Sequence, residues 1–249
     1  KSHAAAYAVV SYETAWLKYY YPVEFMAALM TSVIDNPGKV AEYIYTCKEM
    51  GIKLLPPDIN KGYGNFSVDG GDIRYGLAAI KSIGRSVIDD IIREREAGGE
   101  FKNLRDFAER MSGKDINKRT VENFIKAGAF DCFTGTRKQH MMVYLKILDQ
   151  INQEKKYSMA GQMSLFDIVD EDQRKEFDIQ FPEVGEYEKE TMLAFEKEVL
   201  GVYVSGHPLE EYEERWKKAI TATTHDFQYD DETGHTKVRD GAKEKIGRA

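Results

Sequence analysis

The sequence contains little cysteine, and this scarcity excludes two classes of protein. Only Cys47 and Cys132 occur among 249 residues. Two thiols cannot form the disulfide framework of a small secreted protein, and neither lies in a paired zinc-ligand spacing. The histidines beyond residue 3 show no metal-ligand spacing either. We therefore expect a reduced, cytoplasmic setting and no metal site in this chain.

Long apolar runs are also missing. No stretch approaches the roughly 20 residues that a membrane-spanning helix needs. The first apolar stretch, Ala4–Val10, is too short for a signal peptide and is soon followed by polar residues. A membrane partner is therefore not expected. Because the chain opens on Lys1 without an initiator methionine, we expect it to be a piece of a longer protein.

Basic charge is in the minority, with 35 Lys and Arg against 42 Asp and Glu and a net charge of −7. The basic residues are concentrated in one part of the chain. Residues 74–156 hold 17 basic and 12 acidic side chains, whereas residues 157–234 hold 7 basic and 20 acidic ones. A phosphate polyanion would be attracted to the first stretch and repelled by the second. The acidic total therefore does not exclude DNA.

Hydrophobic periodicity predicts a mainly α fold with one small β-hairpin. The hairpin signal is Asp69-Gly70-Gly71-Asp72, which separates two short strand-like runs. The stretch 157–181 loses periodicity and is predicted to be a tether. Helices are predicted over residues 2–33 with a second start at Pro22, 39–50, 76–156 with glycine breaks, 188–199 and 209–218.

Leu77–Arg85, followed by an apolar-periodic stretch, matches a helix-hairpin-helix motif. The sharp turn of this motif points the first amides of its second helix outward, and these amides together with the helix dipole form a phosphate site. Ile80 should anchor the turn, Gly84 should supply its backbone geometry, and Ser82 stands where a glycine is often found. An ordinary helical packing unit is the alternative. The residues predicted to bind a DNA backbone are Lys81, Ser82, Ile83, Gly84 and Arg85.

A degenerate second copy occupies Val121–Phe130 and is joined to the first through Gly98–Phe101. Two such hairpins pack as a pseudo-symmetric pair that can hold both backbones of a duplex across the minor groove. Phosphate contacts of this kind position a protein without reading sequence. The second copy adds Lys118, Arg119, Lys126 and Gly128 to the predicted backbone-binding residues.

A base-excision glycosylase is an enzyme alternative, because some of these enzymes place a catalytic aspartate about twenty residues beyond such a hairpin. Asp106 lies 22 residues beyond Gly84. We expect Asp106 in the middle of an amphipathic helix, however, and not at a helix start that lines a base pocket. No catalytic lysine or second carboxylate stands out beside it. The glycosylase is therefore disfavoured.

A short peptide in the polar tether predicts a protein partner. Gln162 should form hydrogen bonds in a groove, while Leu165 and Phe166 should fill an apolar pocket. The spacing resembles the bacterial sliding-clamp binding pentapeptide. The alternative is that Leu165 and Phe166 only pin the tether to its own domain. The predicted clamp-binding residues are Gln162, Met163, Ser164, Leu165 and Phe166.

Six motifs follow one another in order over about residues 1–227 and extend these interpretations. They are Lys1–Ala8, Ser11–Lys18, Tyr21–Ala28, Leu55–Asn60, Tyr75–Lys81 and Leu200–Leu209. In this order they resemble the bacterial DNA polymerase III alpha subunit, a C-family replicative polymerase. The resemblance implies duplex primer–template DNA, a sliding clamp and other replicase subunits as partners. It also implies that Lys1, Ser2 and His3 lie near the incoming triphosphate, with a helix cap as the alternative.

The resemblance further implies how the chain is divided. The parts are the end of the polymerase fingers (1–73), a tandem helix-hairpin-helix domain (74–156), a tether with the clamp-binding peptide (157–187), a helical linker (188–227), and a truncated OB-fold entry or disordered tail (228–249).

Catalysis is not expected from this chain alone. Nucleotidyl transfer needs carboxylates that hold two metal ions. In the family these aspartates and their Mg²⁺ belong to the palm, upstream of Lys1, and no Asp-x-Asp group of that kind occurs here. The full-length parent is expected to be a DNA-directed DNA polymerase. The alternative is a stand-alone helix-hairpin-helix adaptor with no polymerase parent.

Overall fold

The structure is a computed structural model that describes residues 2–159 and 181–212, together with residues 215, 218–223, 227 and 246–247. The chain divides into one unit that extends to Ser205 and another that begins at Gly206. Eight α-helices and a small three-stranded sheet occur among the described residues, so the predicted mainly α fold class is confirmed. No helix in the described ranges is long and apolar enough to cross a membrane.

The chain begins with two helices, α1 (Ser2–Tyr20) and α2 (Pro22–Ser32). Pro22 occupies the first turn of α2, where its missing N–H removes no helical hydrogen bond, and the predicted helix break at this residue is confirmed. Helix α2 packs into the core through Met26, Ala27 and Met30.

Helix α1 is exposed along its length. Every side chain from residue 3 to residue 20 is exposed, including the apolar side chains of Tyr7, Val10, Trp16 and Leu17. Helix α2 is the main element that α1 contacts. Periodicity reveals which residues of a helix are apolar, but it does not supply a partner for them.

A three-stranded sheet follows helix α3 (Pro37–Glu49), which begins after Asn36. Strands β2 (Ser67–Asp69) and β3 (Asp72–Arg74) are antiparallel, so the predicted hairpin is confirmed. Strand β1 (Leu54–Leu55) pairs with β3 in parallel and was not predicted. Two residues carry too little pattern to be recognised as a strand.

Aromatic side chains pack together in the core of the first unit. Phe107 lies edge-on to Phe101, Phe124 and Phe130, with ring centroids 4.9 to 6.2 Å apart. The last helix of this unit (Lys189–Val199) packs against α6 (Lys118–Ala127), so residues 188–205 of the predicted linker belong to the first unit. The elements are a 3-10 helix (Leu77–Ala79), α4 (Arg85–Gly98), α5 (Leu104–Arg110), α6 (Lys118–Ala127), α7 (Arg137–Met159) and α8 (Lys189–Val199).

The second unit contains a 3-10 helix, Glu210–Tyr212, within the stretch 209–218 that was predicted to be helical. Strand β4 (Ala222–Thr223) pairs in parallel with β5 (Ile246–Gly247). The predicted OB-fold entry, residues 228–249, otherwise lies outside the described residues.

Candidate nucleic-acid interface

The turn of the first hairpin connects the 3-10 helix Leu77–Ala79 to α4. Ile80 is buried, as predicted for the residue that anchors the turn, and Ile83 is partly buried against the core. Ser82 has φ 64°, in the left-handed region that favours glycine, whereas Gly84 has φ −74°. The expectation that Gly84 supplies the special backbone geometry is therefore wrong. Ser82 supplies it, since it occupies the position where a glycine is often found.

The start of α4 is open to solvent. Gly84 is the N-cap residue, and no side chain caps the helix. The first amides of the helix, from Arg85 to Val87, donate to no acceptor among the described residues. The first turn carries no acidic residue, and the Arg85 side chain is exposed and free of ion pairs within the described ranges. This helix end therefore has free donors, a positive dipole end and an arginine beside it.

Lys81 already has partners for its polar groups. Its amide donates to the Val199 carbonyl at 2.9 Å, and its Nζ donates to the Glu198 carbonyl at 2.7 Å. The Lys81 carbonyl accepts from Asn123 Nδ2 at 2.8 Å. The ammonium thus lies at the C-terminal end of α8, where a positive charge is favourable. Contact between Lys81 and a phosphate stays a prediction.

The second hairpin places Gly128 between α6 and α7. Gly128 has φ 80° and ends α6 in the left-handed conformation. A Cβ atom at this position would overlap the Arg137 guanidinium and lie 2.8 Å from Asp131 Oδ2. The glycine is required by its own backbone and by close packing, and its predicted contact with DNA remains untested.

The start of α7 is closed, unlike that of α4. Thr136 and Gln139 form a reciprocal capping box with bonds of 2.9 and 3.2 Å. The amides of Arg137 and Lys138 donate to the two carboxylate oxygens of Glu186 at 2.9 and 3.1 Å. The position that a phosphate would take at the second hairpin is therefore held by a carboxylate of the same chain.

The three basic side chains predicted at the second hairpin differ in availability. Lys126 is only 14% exposed and forms ion pairs with Glu122 at 3.0 Å and Glu198 at 2.9 Å. Burial acts to lower the pKa of Lys126, but the hydrogen bonds to these carboxylates raise it above its ordinary value. Lys118 forms an exposed pair with Asp149 at 2.9 Å, whereas Arg119 is exposed and has no ion pair among the described residues.

An ion network centred on the buried Arg137 was missed by the sequence analysis. Arg137 bonds to Asp131 at 2.6 Å and to Glu196 at 3.3 Å, and the other oxygen of Glu196 accepts the amides of Val204 and Ser205 at 2.9 Å. A signal was present in the sequence. Glu196 stands on the apolar face of α8, three residues after one buried residue and three before another.

Asp106 lies in the first turn of α5. The expectation that it sits in the middle of a helix is therefore wrong. Its Oδ2 accepts the Lys102 amide at 2.9 Å, and its own amide donates to the Asn103 cap at 2.9 Å. The carboxylate also lies 3.6 Å from Arg110. These contacts account for Asp106 as part of a helix cap.

Two groups of predicted residues have little structural description. The clamp-binding residues Gln162–Phe166 and the first residue, Lys1, lie outside the described residues, and for Ser2 only the helical backbone is described. His3 lies in the first turn of α1, with its ring 4.5 Å from that of Tyr7. No group of three or more His, Cys, Asp or Glu side chains that could hold a metal ion occurs in the described part of the chain.

Comparison with known proteins places this geometry in a family. A family profile described as "Helix-hairpin-helix motif" matches residues 51–140. The DNA polymerase III subunit alpha of Vibrio cholerae is 43% identical over 213 residues, which are 85% of this chain and 18% of that relative. The subunits alpha of Thermus aquaticus and Campylobacter jejuni are each 42% identical, over 85% and 92% of this chain. The chain belongs to the DNA polymerase III alpha subunit family.

This alpha-subunit chain spans less than a fifth of the length of the Vibrio cholerae relative. The helix-hairpin-helix match covers the first turn, α6 and the start of α7. The matched segment therefore contains both the open start of α4 and the closed start of α7.

Proposed function

We propose that this chain is the DNA-binding part of a bacterial replicative DNA polymerase and that it contacts duplex DNA mainly through the start of α4. The open amides at Arg85–Val87 are the observation that carries this proposal. Membership of the alpha-subunit family supports it. A stand-alone adaptor would show the same helix end, and the family match over most of the chain favours the polymerase.

The chemistry at this helix end suits a phosphate. Free amides and the positive dipole end favour an anion, and the Arg85 guanidinium can form a charge-assisted hydrogen bond with the same group. Contacts of this type are independent of base sequence. Because Glu186 holds the equivalent end of α7, the second hairpin contributes exposed charge, from Arg119 above all, and not free amides.

Charge reversal at Arg85 tests the proposal. In fluorescence anisotropy with a labelled duplex, Arg85→Glu should weaken binding and lower the slope of log K against log salt by about one. Arg93→Glu is the matched control, because Arg93 lies on the same helix, is 70% exposed, and stands two turns from the open end. If both variants kept the wild-type salt slope, the assignment of α4 would fail.

We also propose that Gln162, Leu165 and Phe166 bind the sliding clamp of the replicase. The support is the peptide pattern, an apolar pair inside an acidic stretch. Replacing Leu165 and Phe166 by alanine should abolish co-elution with the clamp. Ile168 and Val169 are a matched apolar pair in the same stretch, and their replacement by alanine should leave co-elution intact. Equal loss in both double variants would contradict the assignment.

In the full-length protein, we infer that the magnesium-binding aspartates and the nucleotidyl transfer lie in other parts of the parent, and that Lys1, Ser2 and His3 are close to the incoming nucleotide. The support is the resemblance to the alpha-subunit family, in which the carboxylates that hold two metal ions for nucleotidyl transfer belong to the palm. Given Mg²⁺, nucleotides and a primed template, this chain alone should not extend the primer. Extension would contradict this division of labour.

A further inference from the structure

We propose that Asn123 is a positioning residue for the turn Lys81–Arg85, so that α6 of the second hairpin sets the conformation with which the first hairpin meets DNA. The inference deepens the proposed function and rests on it. Asn123 lies on α6, is 6% exposed, and donates from Nδ2 to the Lys81 carbonyl at 2.8 Å. The two residues are 42 positions apart, so the bond joins separate hairpins.

The turn needs an external support because Ser82 has an unfavourable backbone conformation. Its φ of 64° lies in the left-handed region, which is unfavourable for a residue with a Cβ atom. Such a conformation persists when neighbouring structure holds it. The amides that follow Ser82 are those proposed to meet the phosphate, and their direction depends on this dihedral angle.

Asn123 acts on the peptide group that matters. The Lys81 carbonyl and the Ser82 amide belong to one planar unit, so fixing the carbonyl restricts the orientation from which the φ angle of Ser82 starts. The bonds from Lys81 to Val199 and Glu198 hold its amide and its ammonium, which lie on the earlier side of that unit and on the side chain. Asn123 therefore holds the peptide bond that leads directly into Ser82.

Burial makes this contact specific. A buried side-chain amide without a partner loses the free energy of its hydrogen bonds to water, so Asn123 favours the one turn conformation that presents a carbonyl to it. A merely space-filling residue at this position would tolerate other conformations of Ser82. The distinction can be measured.

The first test compares Asn123→Ala with Thr120→Val in the whole chain. Thr120 lies three residues earlier on α6, is similarly buried, and donates from its hydroxyl to Asn117 Oδ1, with no hydrogen bond to the turn among the described residues. Asn123→Ala should weaken duplex binding by about five- to tenfold, and Thr120→Val by no more than about twofold. Equal weakening by the two variants would overturn the inference.

A rescue separates positioning from general stability. Because glycine adopts the left-handed conformation without a Cβ penalty, Ser82→Gly should restore most of the affinity in the Asn123→Ala background. Failure to restore it would reject the positioning role. If Arg85→Glu left duplex binding unchanged, the proposed function would fail. Exchange of the Ile83 amide, which donates to the Ile80 carbonyl, would still decide the positioning role, since it should be faster in Asn123→Ala than in Thr120→Val.

Discussion

Arg137 has 4% of its side chain exposed, and two carboxylates share its guanidinium. Burial acts to lower the pKa of Arg137, but its bonds to Asp131 and Glu196 raise it, so the arginine is charged in the core. Glu196 is fully buried, and its second oxygen accepts two backbone amides. A buried charge is retained only when such partners surround it.

Removing one partner should therefore be costly. Glu196→Ala leaves Arg137 with an incomplete set of acceptors and two amides without theirs, and we expect a loss of about 3–5 kcal/mol in unfolding free energy. Glu198→Ala, on the same helix, breaks only a partly exposed pair with Lys126 and should cost no more than about 1 kcal/mol. Urea unfolding measures both values. Similar losses would show that burial of the pair contributes little.

His140 is a second buried polar residue, and it makes stability depend on pH. Its Nε2 lies 3.0 Å from the Thr134 carbonyl, its Nδ1 has no partner among the described residues, and burial lowers its pKa. The unfolded chain therefore binds the proton more readily than the folded chain does. The contribution of His140 to the free energy of unfolding should be fully present above its unfolded pKa of about 6.5. It should decline as the pH falls toward the lower pKa of the folded state.

Comparison of unfolding free energies at pH 7.5 and pH 5.5 checks this expectation. His140→Gln removes the titrating group, so the variant should lose less stability over this interval than the wild type does. An equal loss in both proteins would assign the pH dependence to other groups.

At the scale of elements, helix α7 is stabilised both by neighbouring residues and by residues far away in the sequence. Its first turn is capped locally by Thr136 and Gln139 and at a distance by Glu186. The segment that carries Glu186 is held there by further contacts, with Gln139 Nε2 donating to the Pro182 carbonyl at 2.9 Å and the Phe181 ring 5.5 Å from that of His140. The second hairpin is thus completed by residues 181–186, at the end of the predicted tether (157–187).

Loss of the Glu186 charge should weaken the cap on the first turn of α7. Glu186→Gln keeps the shape of the side chain but removes the carboxylate that serves two helix amides, and the expected cost is about 1 kcal/mol. Glu183→Gln makes the same charge change three residues away, where the side chain is exposed and has no hydrogen bond among the described residues. Faster exchange of the Arg137 and Lys138 amides in Glu186→Gln alone would support the cap. Identical exchange in both variants would contradict it.

These elements also show what the sequence could and could not predict. Local signals are present at Pro22, in the Asp69–Asp72 turn and in the Leu77–Arg85 pattern. From them the sequence predicted a helix start, the β-hairpin and the turn of the first helix-hairpin-helix motif. The Glu186 cap on α7 and the support of the Lys81 carbonyl join residues more than 40 positions apart. Local periodicity has no information about such pairs, so the contact of Glu186 with the start of α7 could not be predicted.

At the scale of the whole molecule, the segment that begins at residue 181 packs against helices formed by earlier parts of the chain. Helix α7 ends at Met159, and its 23 residues correspond to a length of about 34 Å. The segment from residue 181 contacts the opposite end of this helix, through Phe181 and Glu186. Helix α8 then packs on α6, and the Leu200 carbonyl accepts the hydroxyl of the buried Tyr75 at 3.2 Å. The parts of the chain before residue 160 and after residue 180 are therefore joined by contacts between residues outside that interval.

Cutting the tether should leave the first unit assembled. A specific protease site inserted between Asp172 and Gln173 would divide the chain beyond the clamp-binding peptide. After cleavage, the two pieces should co-elute at micromolar concentration and retain duplex binding, because the bonds of Lys81, Arg137 and Tyr75 to the α8 segment remain. The same cut in Glu196→Ala should release the C-terminal piece, since the buried pair is then lost. Separation of the pieces in the otherwise unaltered chain would mean that the tether, and not the packing of α8, holds the unit together.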